Sequence, residues 1–245
     1  VSFELMVAGV AVLAGATAAV AGAGIGSMLV PLLALRVDFK VAVALAAIPH
    51  LVGGALRLIP LRRAIDWRLL RTFGLACAAT ALLGALLSDI VGSRWVTRIF
   101  AVLLALAGVL GLTGVGGKWR PGKVEAWIGG ALSGLMGGLA GEQGGIRAVA
   151  LLCFGLPRDA FVATSTAVGV MIDLARVPVY VAIRGHALEP AMPLLLSATG
   201  GVVAGTALGI AVLRKIPEKA FGRVVSVVVI VIAILLLVRP PSGGS

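Results

Sequence analysis

Gly22-Ala23-Gly24-Ile25-Gly26 and Gly141-Glu142-Gln143-Gly144-Gly145 are the two stretches on which the fold of this chain turns. Each interrupts a long apolar segment. Glycine costs a helix interior about 1 kcal/mol relative to alanine, so three glycines within five residues argue for a break. The pieces flanking the first break run over about 5–20 and 27–35. At ~1.5 Å per residue, neither comfortably spans the ~30 Å hydrocarbon core of a bilayer. Two half-helices meeting inside the membrane fit these lengths. The alternative is one long, close-packed helix that uses Gly-x-x-x-Gly contacts.

The surrounding sequence places both breaks in lipid. The chain has 245 residues, 60% hydrophobic and 13% charged, whereas soluble domains carry about 25% charged residues. Further apolar runs cover 69–91, 96–115, 160–183, 191–213 and 219–238, each near the length of a spanning helix. The reading is an all-α polytopic membrane protein with a single transmembrane domain over 1–245. A formal charge of +11 would suggest nucleic acid in a soluble protein. Here the Lys and Arg residues sit in short loops, as cytoplasmic loops require, and no nucleic-acid partner is expected. Cys77 and Cys153 lie in apolar runs with no spacing for a disulfide, metal or redox site. No metal or cofactor is expected.

The two breaks belong to two copies of one unit, roughly 5–115 and 125–238. Residues 13–60 fall on 132–179 without a gap. Leu13, Gly15, Gly22, Gly26 and Arg57 then meet Leu132, Gly134, Gly141, Gly145 and Arg176; farther on, Gly84 meets Gly205 and Phe100 meets Phe221.

Charge counting separates two topologies. If each broken segment crosses fully, eight alternating spans leave nine Lys and Arg on either side, and the positive-inside rule assigns no orientation. If each broken segment enters and returns on one side, each copy has three true spans and the second copy is inverted. One side then gathers twelve, including Arg62, Arg63, Arg68, Arg71, Lys123 and Arg158; the other keeps six, including Arg36, Lys40 and Arg184. The second arrangement is preferred: two inverted repeats, each a re-entrant hairpin plus three transmembrane helices. It makes the protein a multi-pass inner-membrane protein with both termini extracytoplasmic.

Inverted repeats with broken helices near the midplane are a recurring transporter plan. A half-helix that begins inside the membrane presents unpaired backbone N–H groups and a positive dipole end, which suits an anion. The starts would lie near Gly24–Ser27 and Gly144–Arg147, so Gly22, Gly24, Gly26, Ser27, Gln143, Gly144, Gly145 and Arg147 are candidate ligands. Ionisable residues at membrane depth are costly and need a reason. Arg147 adds charge to the anion site or pairs with Glu142. Glu142 carries a coupling proton, caps the half-helix or pairs with Arg147. Asp173 and Arg176, three apart on one helical face, form a structural bridge or join the site, Asp173 as a candidate proton carrier and Arg176 as a candidate ligand. Arg57 occupies the repeat position of Arg176, yet snorkelling to the interface is its simplest role. His50 is a hydrogen-bonded core residue or a proton shuttle. The hydroxyls of Thr164, Ser165 and Thr166 can bond a ligand or freed backbone. Gly201, Gly205 and Gly209 form a four-residue ladder for helix packing.

Two motifs carry a family resemblance. Gly22-Ala23-Gly24-Ile25-Gly26 followed by Ser27-Met28-Leu29-Val30-Pro31, and Ala160-Phe161-Val162-Ala163-Thr164-Ser165, resemble the TauE/SafE sulfite exporters, also called toluene sulfonate uptake permeases. Ile25 stands where the family pattern has glycine, and the first copy has Leu45-Ala46 in place of Thr-Ser. The resemblance implies transport of small sulfur-containing anions such as sulfite or organosulfonates. The residues alone imply a secondary transporter of a small anion, with the bilayer and that anion as partners; a homodimer is compatible with the layout. Alternatives are a channel-like anion permease, a transporter of another small solute, a subunit of a larger assembly, or a membrane enzyme. The chain has only His50 and His186, with no H-E-x-x-H, G-x-S-x-G or P-loop signature.

Overall fold

Ser2 opens the first helix by accepting the Leu5 N–H on its hydroxyl at 3.4 Å. The helix, α1 (Phe3–Ala21), ends where Gly22 takes φ +71° and returns its N–H to Ala18, the left-handed stop that glycine allows. Gly24, at φ +132°, precedes α2 (Ile25–Leu33). This computed structural model describes residues 2–87, 121–140 and 144–238, with positions 98, 101, 102, 105, 106, 108, 109 and 112. The expected span over 96–115 therefore lies largely outside the described residues.

Asp38 caps α3 (Phe39–Leu61). Asp66 accepts the Leu69 N–H at the start of the next helical stretch, α4 (Trp67–Leu87), which includes one π-turn over Leu70–Gly74. Farther along the chain are α5 (Lys123–Ala140), α6 (Gly144–Leu152), α7 (Arg158–Leu188), α8 (Met192–Leu213) and α9 (Glu218–Val238). A 3-10 turn, Glu189–Ala191, separates α7 from α8. No strand occurs among the described residues. Phe3–Ala21, Phe39–Ala64, Trp67–Leu87 and the stretch Arg158–Leu213 are long and apolar enough to cross a membrane.

One length differs from the sequence reading. The piece before the first break has 19 residues rather than about 16, because Ser2 starts the helix earlier and it runs on to Ala21. At ~1.5 Å per residue it approaches bilayer thickness. Among the described helices flanking the breaks, the nine-residue α2 and α6 are plainly too short.

Helix directions follow from close contacts. Gly201, Gly205 and Gly209 of α8 lie against the backbone of Ala8, Val12 and Ala16 of α1 in turn, so α1 and α8 run parallel. Gly130, Gly134 and Gly138 of α5 meet Phe73, Cys77 and Ala81 of α4, so these two also run parallel. The repeat-matched glycines Gly15 and Gly134 thus sit at corresponding crossings, as do Gly84 and Gly205. Helices α3 and α7 occupy the same place in the two copies. Their contacts pair His50 with Asp173 and Arg57 with Thr166. The numbers rise along one helix as they fall along the other, so α3 and α7 run antiparallel.

Contacts join the end of each short helix to the head of the helix before it. The Arg36 guanidinium, just past α2, lies 5.0 Å from the ring centre of Phe3 at the head of α1. Phe154 and Leu156, just past α6, share a cleft with Pro121–Lys123 at the head of α5, and with Asp66 and Arg68 at the head of α4. These two ends lie at opposite ends of α3.

Candidate functional site

The breaks meet. A Cβ on Gly144, the first residue of α6, would lie 2.6 Å from Ala23 Cα, so the start of α6 rests directly on the first break. One turn on, Arg147 is completely buried. Its Nη2 donates to the Gly22 carbonyl at 2.8 Å and its Nε to Ser165 Oγ at 3.0 Å. A cation on the last carbonyls of α1 suits the negative end of that helix. Gly169 makes the room: a Cβ there would lie 3.1 Å from Arg147 Nη1. In the repeat register Gly169 corresponds to His50, so an imidazole in one copy is replaced by a space for a guanidinium in the other.

Helix α7 lines the rest of the site with one face, on which Thr166, Asp173 and Arg176 recur at helical spacing. Helix α3 answers with His50 and Arg57, two turns apart. Arg57 Nε donates to Thr166 Oγ1 at 2.9 Å. His50 Nδ1 stands 2.5 Å from Asp173 Oδ2, and Asp173 Oδ1 accepts from Arg176 Nε and Nη2, both at 2.9 Å. The Arg176 guanidinium also lies over the Tyr180 ring. Arg57 is 1% exposed, Arg176 2% and Asp173 0%, so snorkelling does not describe Arg57. That correction has a simple cause: Arg57 sits a full turn before the end of α3 and faces α7, where Thr166 offers an acceptor.

Three guanidiniums and one carboxylate therefore share a buried cluster among the described residues. Arg147 and Asp173 are both within electrostatic reach of Arg57, and Arg147 and Arg176 of His50. Buried cations persist where they are paired or where an anion visits. Counting an ionised Glu142 as well would still leave an excess of positive charge. Among the described residues, Arg57 Nη1 and Arg176 Nη1 are buried with no hydrogen-bond partner, donor groups whose fork geometry suits an oxyanion.

Other expected site residues are placed differently. Ser27 is buried and gives its hydroxyl to the Gly24 carbonyl at 3.2 Å, satisfying broken backbone. Thr164 accepts the Asp66 N–H at 2.9 Å, tying α7 to the loop before α4. Gly26 and Gly145 lie in the first turns of α2 and α6. Glu142, Gln143 and Gly141 fall outside the described residues. Thr166, the third hydroxyl of the expected Thr164–Thr166 group, takes the Arg57 bond, and Gly169 joins the site without having been singled out; only its repeat register with His50 could have marked it.

Span-length apolar helices, a glycine break on which the start of α6 rests, and a buried cation cluster between α3 and α7 are features of a membrane transporter. The chain belongs to the Sulfite exporter TauE/SafE family, whose pattern matches residues 7–236. It is thus an integral membrane protein of a transporter family. No curated protein and no solved structure matches the chain.

Proposed function

We propose that the protein is a secondary transporter of small sulfur-containing anions, of the sulfite or organosulfonate class. The anion binds where the first turn of α6 meets the first break and is held by Arg57, Arg147 and Arg176. The observation that carries this reading is the cluster itself: three buried guanidiniums and one described carboxylate, with Arg57 Nη1 and Arg176 Nη1 lacking a hydrogen-bond partner among the described residues. Family membership supports the sulfur chemistry. Glu142, Asp173 and His50 are the candidates for carrying a coupling proton.

The reading includes an inverted two-copy architecture, with copies over about 5–115 and 125–238, two re-entrant hairpins, six spans and extracytoplasmic termini. Antiparallel α3 and α7 support it, since two equivalent helices run antiparallel when their repeats are inverted. Eight alternating spans would make them parallel. The return of Arg36 to Phe3, and of Phe154 to the head of α5, supports hairpins that enter and leave on one side. Grouping the head of α4 with the head of α5 and the end of α6 agrees with the twelve-to-six division of basic residues.

A thermal-shift panel on the purified protein tests the substrate class. Sulfite, small sulfonates, thiosulfate and carboxylates are compared with cations and neutral solutes. A specific ligand stabilises the native state by RT ln(1 + [L]/Kd). The expected result is stabilisation by sulfite or a sulfonate. Stabilisation by a cation or neutral solute alone overturns the reading.

A further inference from the structure

The His50–Asp173–Arg176 chain crosses the contact between the two copies, with His50 on α3 and the acid and arginine on α7. Asp173 is shared. One oxygen faces the imidazole and the other holds Arg176, so the carboxylate balances a guanidinium and a titratable ring together. A carboxylate beside Nδ1 fixes the tautomer in which Nδ1–H donates, leaving Nε2 to gain or lose the proton. When His50 is neutral, Asp173 offsets Arg176. When His50 is an imidazolium, Asp173 has two cations to offset, and the cluster gains one positive charge near Arg176, whose Nη1 has no hydrogen-bond partner among the described residues.

We propose that His50, through Asp173, is the proton-binding element of this site, and that proton and anion bind with positive cooperativity. This inference rests on the anion-transport reading above and adds the coupling group to it. The physical reason is the added charge: an anion enters a buried cationic cluster more readily when the ring carries its proton, and linkage makes the effect reciprocal. Among the described residues, the groups facing His50 are one carboxylate and several guanidiniums, so an anion that offsets the guanidiniums favours the proton on the ring. From α7 come Asp173 and Arg176, from α6 Arg147, and from α3 itself Arg57. Helices α2 and α8, which also pack on α3, contain no ionisable side chain. Arg62 and Arg63 in the turn after α3 are exposed. Glu142 is the competing proton carrier, and the test separates the two.

The probe is methanesulfonate, which stays ionised across the range and brings no titration of its own. Its Kd for the purified full chain is measured from about pH 5.5 to about pH 8.5, bracketing the ordinary imidazole range. The sign is fixed: affinity is highest at low pH and falls as pH rises through the His50 titration, by up to about tenfold per unit when coupling is strong. His50→Gln is expected to flatten the profile, and Glu142→Gln to keep it. Proton uptake by the wild-type protein on adding methanesulfonate at neutral pH, in weak buffer, is expected to approach one per anion bound. That measurement stands even if His50→Gln does not fold. A flat wild-type profile without proton uptake overturns the inference while leaving the anion reading intact. A slope that survives in His50→Gln and disappears in Glu142→Gln also overturns it. Failure of every anion tested to bind at any pH removes the anion reading and this inference with it.

Discussion

Arg57 and Arg176 occupy one repeat position and are held differently. Arg57 gives Nε to a neutral hydroxyl, whereas Arg176 is gripped by a carboxylate. Arg57 is therefore the less neutralised of the two. Replacing it with Lys keeps the charge but loses the planar fork that meets Thr166 and an oxyanion together. Arg57→Lys is expected to weaken anion binding about tenfold or more, since a charge-assisted hydrogen bond contributes about 1.5–3 kcal/mol; titration of a binding anion into purified variant reads this. Arg147 differs because it also closes the first break. Arg147→Gln is expected to cost about 3 kcal/mol of stability through its bonds to Gly22 and Ser165, seen as a lower melting temperature even without ligand. The sequence showed the Asp173–Arg176 pair, because a spacing of three puts both on one helix face. It did not show that His50 reaches Asp173 or Arg57 reaches Thr166. Those contacts depend on the direction in which α3 crosses α7, which no local pattern encodes.

Among the elements, the breaks were the most legible feature. Clustered glycines stop a helix for backbone reasons alone, and α2 and α6 begin inside the windows Gly24–Ser27 and Gly144–Arg147 that the glycines marked, α2 two residues before the expected piece 27–35. Ends were less legible. Helix α7 runs over Arg158–Leu188, past the apolar run 160–183, because Arg158, Asp159 and Arg184–His186 continue the helix in a polar setting. The glycine ladder of α8 does pack on α1, as its spacing suggested. Neighbouring glycines on α8 separate packing from propensity. A Cβ on Gly201 would lie 2.5 Å from the Ala8 carbonyl oxygen, while one on Gly200 meets nothing within 4 Å. Gly201→Ala is expected to destabilise by about 1–3 kcal/mol through overpacking. Gly200→Ala should be neutral or stabilising by up to about 1 kcal/mol, from helix propensity. Thermal melts of the two variants side by side check the contrast, and equal melting temperatures would contradict the parallel α1–α8 crossing.

At the scale of the whole molecule, α3 on one side and α6 and α7 on the other surround the cluster. In the proposed two-copy arrangement, relative movement of the copies would change its access to either face of the membrane. This account requires residues near 37 and near 156 to lie on opposite sides of the bilayer. Single cysteines at those positions, in a background lacking Cys77 and Cys153, are expected to label from opposite sides in sealed cells; labelling from one side would remove the inverted arrangement. The central claim is that this chain alone moves a small sulfur-containing anion through the arginine cluster. Counterflow of labelled sulfite in proteoliposomes containing only the purified protein tests it most directly. The account predicts saturable exchange that a small sulfonate inhibits and that Arg57→Gln or Arg176→Gln abolishes in correctly folded protein. Undiminished exchange in both variants, or no anion exchange by a folded wild-type protein that moves a cation or neutral solute instead, would contradict it.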